Sequence, residues 1–157
     1  VRFPERRTDH EAELGVIIGK KGSDISYEEA MDHVAGYAIA MDMVVRGPED
    51  RSFRKSVDTY AILGPWMVTC DQIAEPDNLD FNLSVGGEIR QKNNTKNLIL
   101  DLPGQIAWAS KFYSLYPGDI IMSGTCAGVS RVVPGDVMSL FFENIGSMEV
   151  PVRAHQG

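Results

Sequence analysis

Cysteine is scarce in this 157-residue sequence: Cys70 and Cys126 are the only two, too few to staple a disulfide framework and not spaced as a metal finger. Both are expected as free thiols in a reducing, cytoplasmic compartment. No apolar run approaches the ~20 residues that cross a bilayer, so no membrane span is expected. Basic blocks are missing too. Adjacent bases occur only as Arg6-Arg7, Lys20-Lys21 and Arg54-Lys55, and 15 basic against 22 acidic residues give a charge of −7. That excludes nucleic acid as a partner, because phosphate neutralisation needs clustered Lys and Arg. The polar, Arg-rich start carries no apolar leader segment. Gly15 to Lys21 has neither the glycine spacing nor the Ser or Thr of a phosphate loop.

What is present is ordinary for a globular chain: 43% apolar and 24% charged residues. The length suits one compact domain over 1–157. Short strands with Gly and Pro punctuation dominate. Glu11 to Gly19 is rich in branched residues and reads as a strand. Ser26 to Glu29 forms a capping box that starts a short helix to about His33. Val34 to Arg46 reads as one long strand with Ala38, Ala40 and Asp42 on a common face. Gly47 to Lys55 is charged and reads as a loop, and Ile62 to Val68 is interrupted by Gly64-Pro65. Leu79, Phe81, Leu83 and Val85 alternate strictly before Gly86-Gly87 and Glu88 to Gln91, a hairpin signal. A second helix is expected from Pro103 to Ser114, capped by Asp101. Two Pro-Gly-Asp turns, at Pro117 and Pro134, lead into strands Ile120–Ser123 and Val137–Phe142 and suggest a stacked meander. Met148 to Arg153 closes the chain. The fold class is α+β, β-dominated, with two short helices.

Glu11 and Glu13 flank one residue at the start of a strand, so their side chains share a face with Cα atoms about 6.5–7 Å apart. Two carboxylates so placed either hold a hard divalent ion or line an exposed acidic edge. Asp42, inside an apolar strand, is costly to bury alone. It either joins that ion or pairs with Arg46, four residues on. Lys55 either neutralises an anionic substrate or is a solvated loop charge. Gly124 to Gly128 either offers backbone donors to an anion or is simply a tight turn.

Taken in order, these pieces resemble the fumarylacetoacetate hydrolase superfamily, and the likeness covers nearly the whole chain. They are Glu11 to Lys20, Gly36-Tyr37 with Asp42 and Arg46, Lys55-Ser56 with Asp58-Thr59, and Leu63 to Trp66. Gly87-Glu88 with Arg90-Gln91, Pro117 to Asp119 and Gly124-Thr125 with Gly128-Val129 complete the set. The resemblance implies a mixed β-roll or β-sandwich of the C-terminal catalytic type and a homodimer. It implies Mg²⁺ or Mn²⁺ (Ca²⁺ is compatible) on Glu11, Glu13 and Asp42. Arg46 and Lys55 match positions that contact substrate oxygens, with Lys55 catalytic, and Gly124-Thr125 match a turn that holds a substrate carboxylate. The implied activity is metal-dependent C–C hydrolysis of a β-diketo or 2-oxo acid in aromatic compound catabolism. Oxo-acid decarboxylase, hydratase or keto–enol isomerase is the alternative, and a catalytically silent metal- or oxo-acid-binding domain a further one. Three departures stand out: Cys126 replaces the proline of a Gly-Thr-Pro turn, Gly86 replaces an asparagine, and Glu49 replaces a glutamine. Hydrolytic members take their base from a His-x-x-Glu dyad in an upstream lid. Nothing before Glu11 supplies it, so the chain is expected as the catalytic domain without that lid. His10 and Glu13 match the spacing by coincidence, since a strand turns adjacent side chains to opposite faces.

Overall fold

The computed structural model describes residues 1–156. Strand β1 spans Thr8–Asp9, β2 Ala12–Ile18, β3 Val34–Asp42 and β4 Val44–Val45. Helix α1 follows at Arg51–Lys55, then β5 at Ala61–Thr69, β6 at Asp80–Val85 and β7 at Glu88–Asn94. Helix α2 is Leu102–Ser110; strands β8 to β11 are Ile120–Met122, Arg131–Val132, Val137–Phe142 and Gly146–Pro151.

These strands build three antiparallel sheets, ordered β5-β3-β2-β8, β11-β10-β6-β7 and β4-β1-β9. In the first, register places Ala12 opposite Met41, Leu14 opposite Ile39 and Val16 opposite Tyr37. All six are buried in the core, together with Leu83, Met138, Leu140 and Phe142 of the second sheet. Phe81 and Phe142 stack there with centroids 4.7 Å apart, worth about 0.5–1.5 kcal/mol beyond their buried area. The opposite face of β2 and β3 carries small residues, with Gly15 against Ala38 and Ala40 against Glu13. Period-2 alternation thus sorts large side chains to the core and leaves a shallow, small-residue face that ends in carboxylates.

Several expectations need correction. The run Val34 to Arg46 is not one strand: β3 stops at Asp42, and after Met43 the chain joins the small sheet as β4, pairing Asp9 with Val44. The charged segment Gly47 to Lys55 contains α1, whose start is capped by Asp50 accepting from Ser52 N at 3.0 Å. The Ser26 capping box forms, with Glu29 N donating to Ser26 Oγ, but it leads into a turn and a 3₁₀ segment, Ala30–His33. Strand β5 runs through Gly64-Pro65 with a register irregularity opposite Tyr37–Ile39. Helix α2 ends at Ser110, whose carbonyl and hydroxyl accept from Asp24 N and Ile25 N, so Tyr113 lies outside it and is exposed. The two Pro-Gly-Asp turns form alike, with Asp119 and Asp136 accepting from Tyr116 N and Val133 N. They feed different sheets, so no stacked meander results. The alternating β6, the hairpin to β7 and the Asp101 cap, which accepts from Gly104 N, stand as expected. Both cysteines are free. No helix among the described residues is long and apolar enough to cross a membrane.

Candidate functional site

The site begins where β2 and β3 end side by side. Asp42 N donates to Glu11 O at 3.0 Å, which sets Glu11 directly across from Asp42. Glu13 lies two residues along the same face. One carboxylate oxygen from each of Glu11, Glu13 and Asp42 lies within 4.8 Å of the others. Glu13 is 4% exposed, and burial drives its carboxyl up to about 7. The hydrogen bond from Gly124 N opposes that rise, and the charge of Asp42 adds to it. Burial also raises the Asp42 carboxyl, against the pull of Lys55.

Lys55, the last residue of α1, brings its ammonium between the strands. Its Nζ donates to Glu11 Oε2 at 2.6 Å and to Asp42 Oδ2. Burial works against its charge, but the hydrogen bonds to Asp42 and Glu11 prevail and hold it above the ordinary lysine value. The alternative Arg46–Asp42 pair does not form. Because β4 pairs with β1, Arg46 reaches Asp9 instead, its Nε donating to Asp9 Oδ2 at 2.7 Å. Arg7 Nε takes the other oxygen at 2.6 Å. Asp9 has no exposed side-chain surface; burial pushes its carboxyl up, yet the two guanidiniums outweigh that and hold it low. Arg46 Nη2 then comes within 3.8 Å of Glu11 Oε1.

The Gly124–Thr125 turn closes the far side. Gly124 N donates to Glu13 Oε2 at 2.7 Å, and Thr125 Oγ1 donates to Ala12 O at 2.9 Å. Beside this turn opens a cavity of about 300 Å³ lined by Asn93, Asn97, Gln105, Ser123 and Cys126 among others. A larger cavity, about 810 Å³, lies against Tyr60, Val152 and His155, and neither cavity is lined by any of the three carboxylates. Chemistry, not size, locates the site.

All predicted site residues therefore converge. Sequence reasoning passed over Asp9, which orients Arg46, and left Gln91 without a role. His10 points away from the carboxylates: it is fully buried, with Nδ1 on Gln91 Oε1 and Nε2 on Ser130 Oγ. The donor set fits a divalent ion. A hard cation takes carboxylate oxygens, and one oxygen from each of these three side chains already faces a common space. Three oxygen ligands from two rigid strands also leave positions open for water or a bidentate oxo acid. Lys55 donates to Glu11 and Asp42, and among the described residues no cation forms a salt bridge with Glu13.

A family profile described as fumarylacetoacetate (FAA) hydrolase C-terminal matches residues 1–153. The chain belongs to that family. Among its relatives, the maleylpyruvate hydrolase of Aquipseudomonas alcaligenes is 51% identical over 150 residues, covering 96% of this chain and 52% of the relative. The mitochondrial oxaloacetate tautomerase fahd2 of Xenopus laevis is 40% identical over 167 residues, covering 97% of this chain and 52% of the relative. A crystal structure of maleylpyruvate hydrolase from Sphingobium sp. SYK-6, in complex with manganese(II) and pyruvate, superposes with a TM-score of 0.93. It is 46% identical and matches 98% of this chain and 57% of that one. The chain thus spans about half the length of the relatives it matches. The β-dominated architecture is the family's.

Proposed function

We propose that this domain is the metal-binding catalytic unit of a hydrolase that cleaves a C–C bond in a β-diketo or 2-oxo acid. The observation that carries the reading is the approach of Glu11, Glu13 and Asp42 to within 4.8 Å, with the Lys55 ammonium beside two of them. The three carboxylates would hold Mn²⁺ or Mg²⁺, with Ca²⁺ as a compatible hard ion. Once bound, the ion supplies Lewis acidity to the chelating oxygens of the oxo acid. The likeness to a relative solved with manganese(II) and pyruvate supports both the ion and the 2-oxo acid class.

The chain's own residues supply the rest. Lys55 remains an ammonium and places positive charge where the 2-oxo oxygen gains negative charge, an electrostatic contribution available only in a dry, fixed site. Arg46, held by Asp9, faces substrate oxygens beside Glu11. The Gly124–Thr125 turn positions the substrate carboxylate, and the adjoining 300 Å³ cavity accommodates the remainder of the molecule.

A second reading, keto–enol isomerisation or decarboxylation of an oxo acid, draws on the same residues and on the likeness to an oxaloacetate tautomerase. A homodimer is part of the proposal; the exposed Trp108, Phe112 and Tyr113 are the kind of surface such contacts cover. A cytoplasmic location accords with the exposed free thiol of Cys70.

The test is thermal. Pyruvate and oxaloacetate each raise the melting temperature in the presence of Mn²⁺ and leave it unchanged in EDTA. Equal stabilisation in EDTA contradicts chelation. Turnover of acylpyruvates against oxaloacetate then separates hydrolase, isomerase or decarboxylase and silent binder.

A further inference from the structure

Strand β8 ends at Met122, so beyond it the outer edge of β2 has no strand to pair with. After a last backbone bond, Ser123 N donating to Leu14 O at 3.0 Å, side chains take over the ladder. Ser123 Oγ accepts from Leu14 N at 3.1 Å, and Gln91 Oε1 accepts from Ala12 N at 3.0 Å. Thr125 Oγ1 donates to Ala12 O, which completes the pairing of the residue between the two glutamates.

Gln91 is 1% exposed, and its amide is fully used. Oε1 accepts from both Ala12 N and His10 Nδ1, each at 3.0 Å. Nε2 donates to Thr125 Oγ1 at 2.8 Å and to Cys126 O at 3.1 Å. The orientation is forced, since a flipped amide would set N–H against the Ala12 N–H and oxygen against the Cys126 carbonyl. Gln91 lies on β7, which belongs to the other sheet. One side chain thus spans from that sheet to the strand bearing Glu11 and Glu13 and to the turn bearing Gly124 and Thr125. A buried amide is costly unless every bond is made, and an apolar side chain of similar volume would fill the space without that risk.

We propose that Gln91 is a positioning residue that sets the spacing between the metal-ligand strand and the Gly124–Cys126 turn, and so fixes how an oxo-acid carboxylate is received. The inference rests on the metal and oxo-acid reading above. It divides the amide's work in two. The oxygen holds the strand, and the nitrogen holds the turn.

Gln91→Glu keeps an oxygen for Ala12 N and His10 but replaces the donor to Thr125 and Cys126 with an acceptor. Gln91→Met removes both halves at similar volume. Calorimetric titration of Mn²⁺, then of pyruvate at saturating Mn²⁺, separates the two. For Gln91→Glu, Mn²⁺ affinity stays within threefold of wild type while pyruvate affinity falls at least tenfold. For Gln91→Met, both affinities fall. A Gln91→Glu protein whose melting temperature drops while its pyruvate affinity stays within twofold overturns the inference and leaves Gln91 a purely structural residue. Should either variant fail to fold, Thr125→Val cuts the same link from the other end, and pyruvate affinity within twofold of wild type in that variant also overturns it. Wild type that binds Mn²⁺ but no pyruvate defeats the oxo-acid reading itself, and the inference with it.

Discussion

Gly124 N donates to Glu13 Oε2 at 2.7 Å, joining residues 111 apart in sequence. The bond ties a carboxylate of β2 to the turn that follows β8, so the carboxylate-bearing strand and the Gly124–Thr125 turn are one mechanical unit. Everything proposed for the site depends on that junction staying closed.

Two glycines near the junction test it. Both have left-handed backbones, with φ +93° at Gly124 and +101° at Gly128, but their surroundings differ. A Cβ at Gly124 meets nothing within 4 Å, whereas one at Gly128 would lie 1.9 Å from Arg90 O. Gly124→Ala is expected to cost about 1–2 kcal/mol of backbone strain. Gly128→Ala must also displace the β7 backbone, and is expected to cost more than about 3 kcal/mol. Denaturant unfolding of the two variants measures the order; equal losses contradict the close approach of this turn to β7.

Lys55→Met separates two roles of one cation. The ammonium competes with a divalent ion for Glu11 and Asp42, so its removal is expected to leave Mn²⁺ affinity equal to or higher than wild type. Loss of its charge at the substrate oxygen is expected to lower turnover about 10²–10³-fold, the range seen when a single charge-stabilising donor is removed. Mn²⁺ titration and single-turnover kinetics check the pair. Weaker Mn²⁺ binding in Lys55→Met means that the lysine supports the ion instead of competing with it.

Asp77 gives a pH signature away from the site. It accepts from Leu102 N at 3.0 Å, and burial raises its carboxyl despite that bond, with the charge of Asp101 adding to the rise. A raised folded-state value means that the native protein binds the proton more tightly than the unfolded chain. Stability therefore falls as pH rises from about 3.9, the unfolded value, through the folded one. Asp77→Asn keeps an oxygen for Leu102 N and removes the charge. Its melting temperature is expected above wild type at pH 7 and equal to it near pH 3, measured by calorimetry at both.

Much of the site was legible because strand geometry is simple. Glu11 and Glu13 share a face by period alone, and Asp42 stood out as a carboxylate in an apolar run. The Arg46 pairing was not legible. Nothing around Met43 marks the break between β3 and β4, since Met43 is apolar and buried like Met41 and Val44. Only the register of β4 against β1 brings Asp9 beneath Arg46. Helix α1 buries no residue and so has no apolar periodicity to read; its signal was the Asp50–Ser52 cap. The sequence marked Gln91 as the end of the hairpin strand Glu88 to Gln91, with no role of its own. It is buried because β7 packs beside the end of β2, a long-range fact that no local pattern carries.

The central claim is that Glu11, Glu13 and Asp42 bind a divalent ion as a set. Mn²⁺ titration of wild type against Asp42→Asn, followed by calorimetry, tests it most directly. Outer-sphere partners of metal ligands already cost about 10–100-fold in affinity when removed, so loss of a direct ligand is expected to cost more than about a hundredfold. Mn²⁺ affinity unchanged in Asp42→Asn contradicts the assignment.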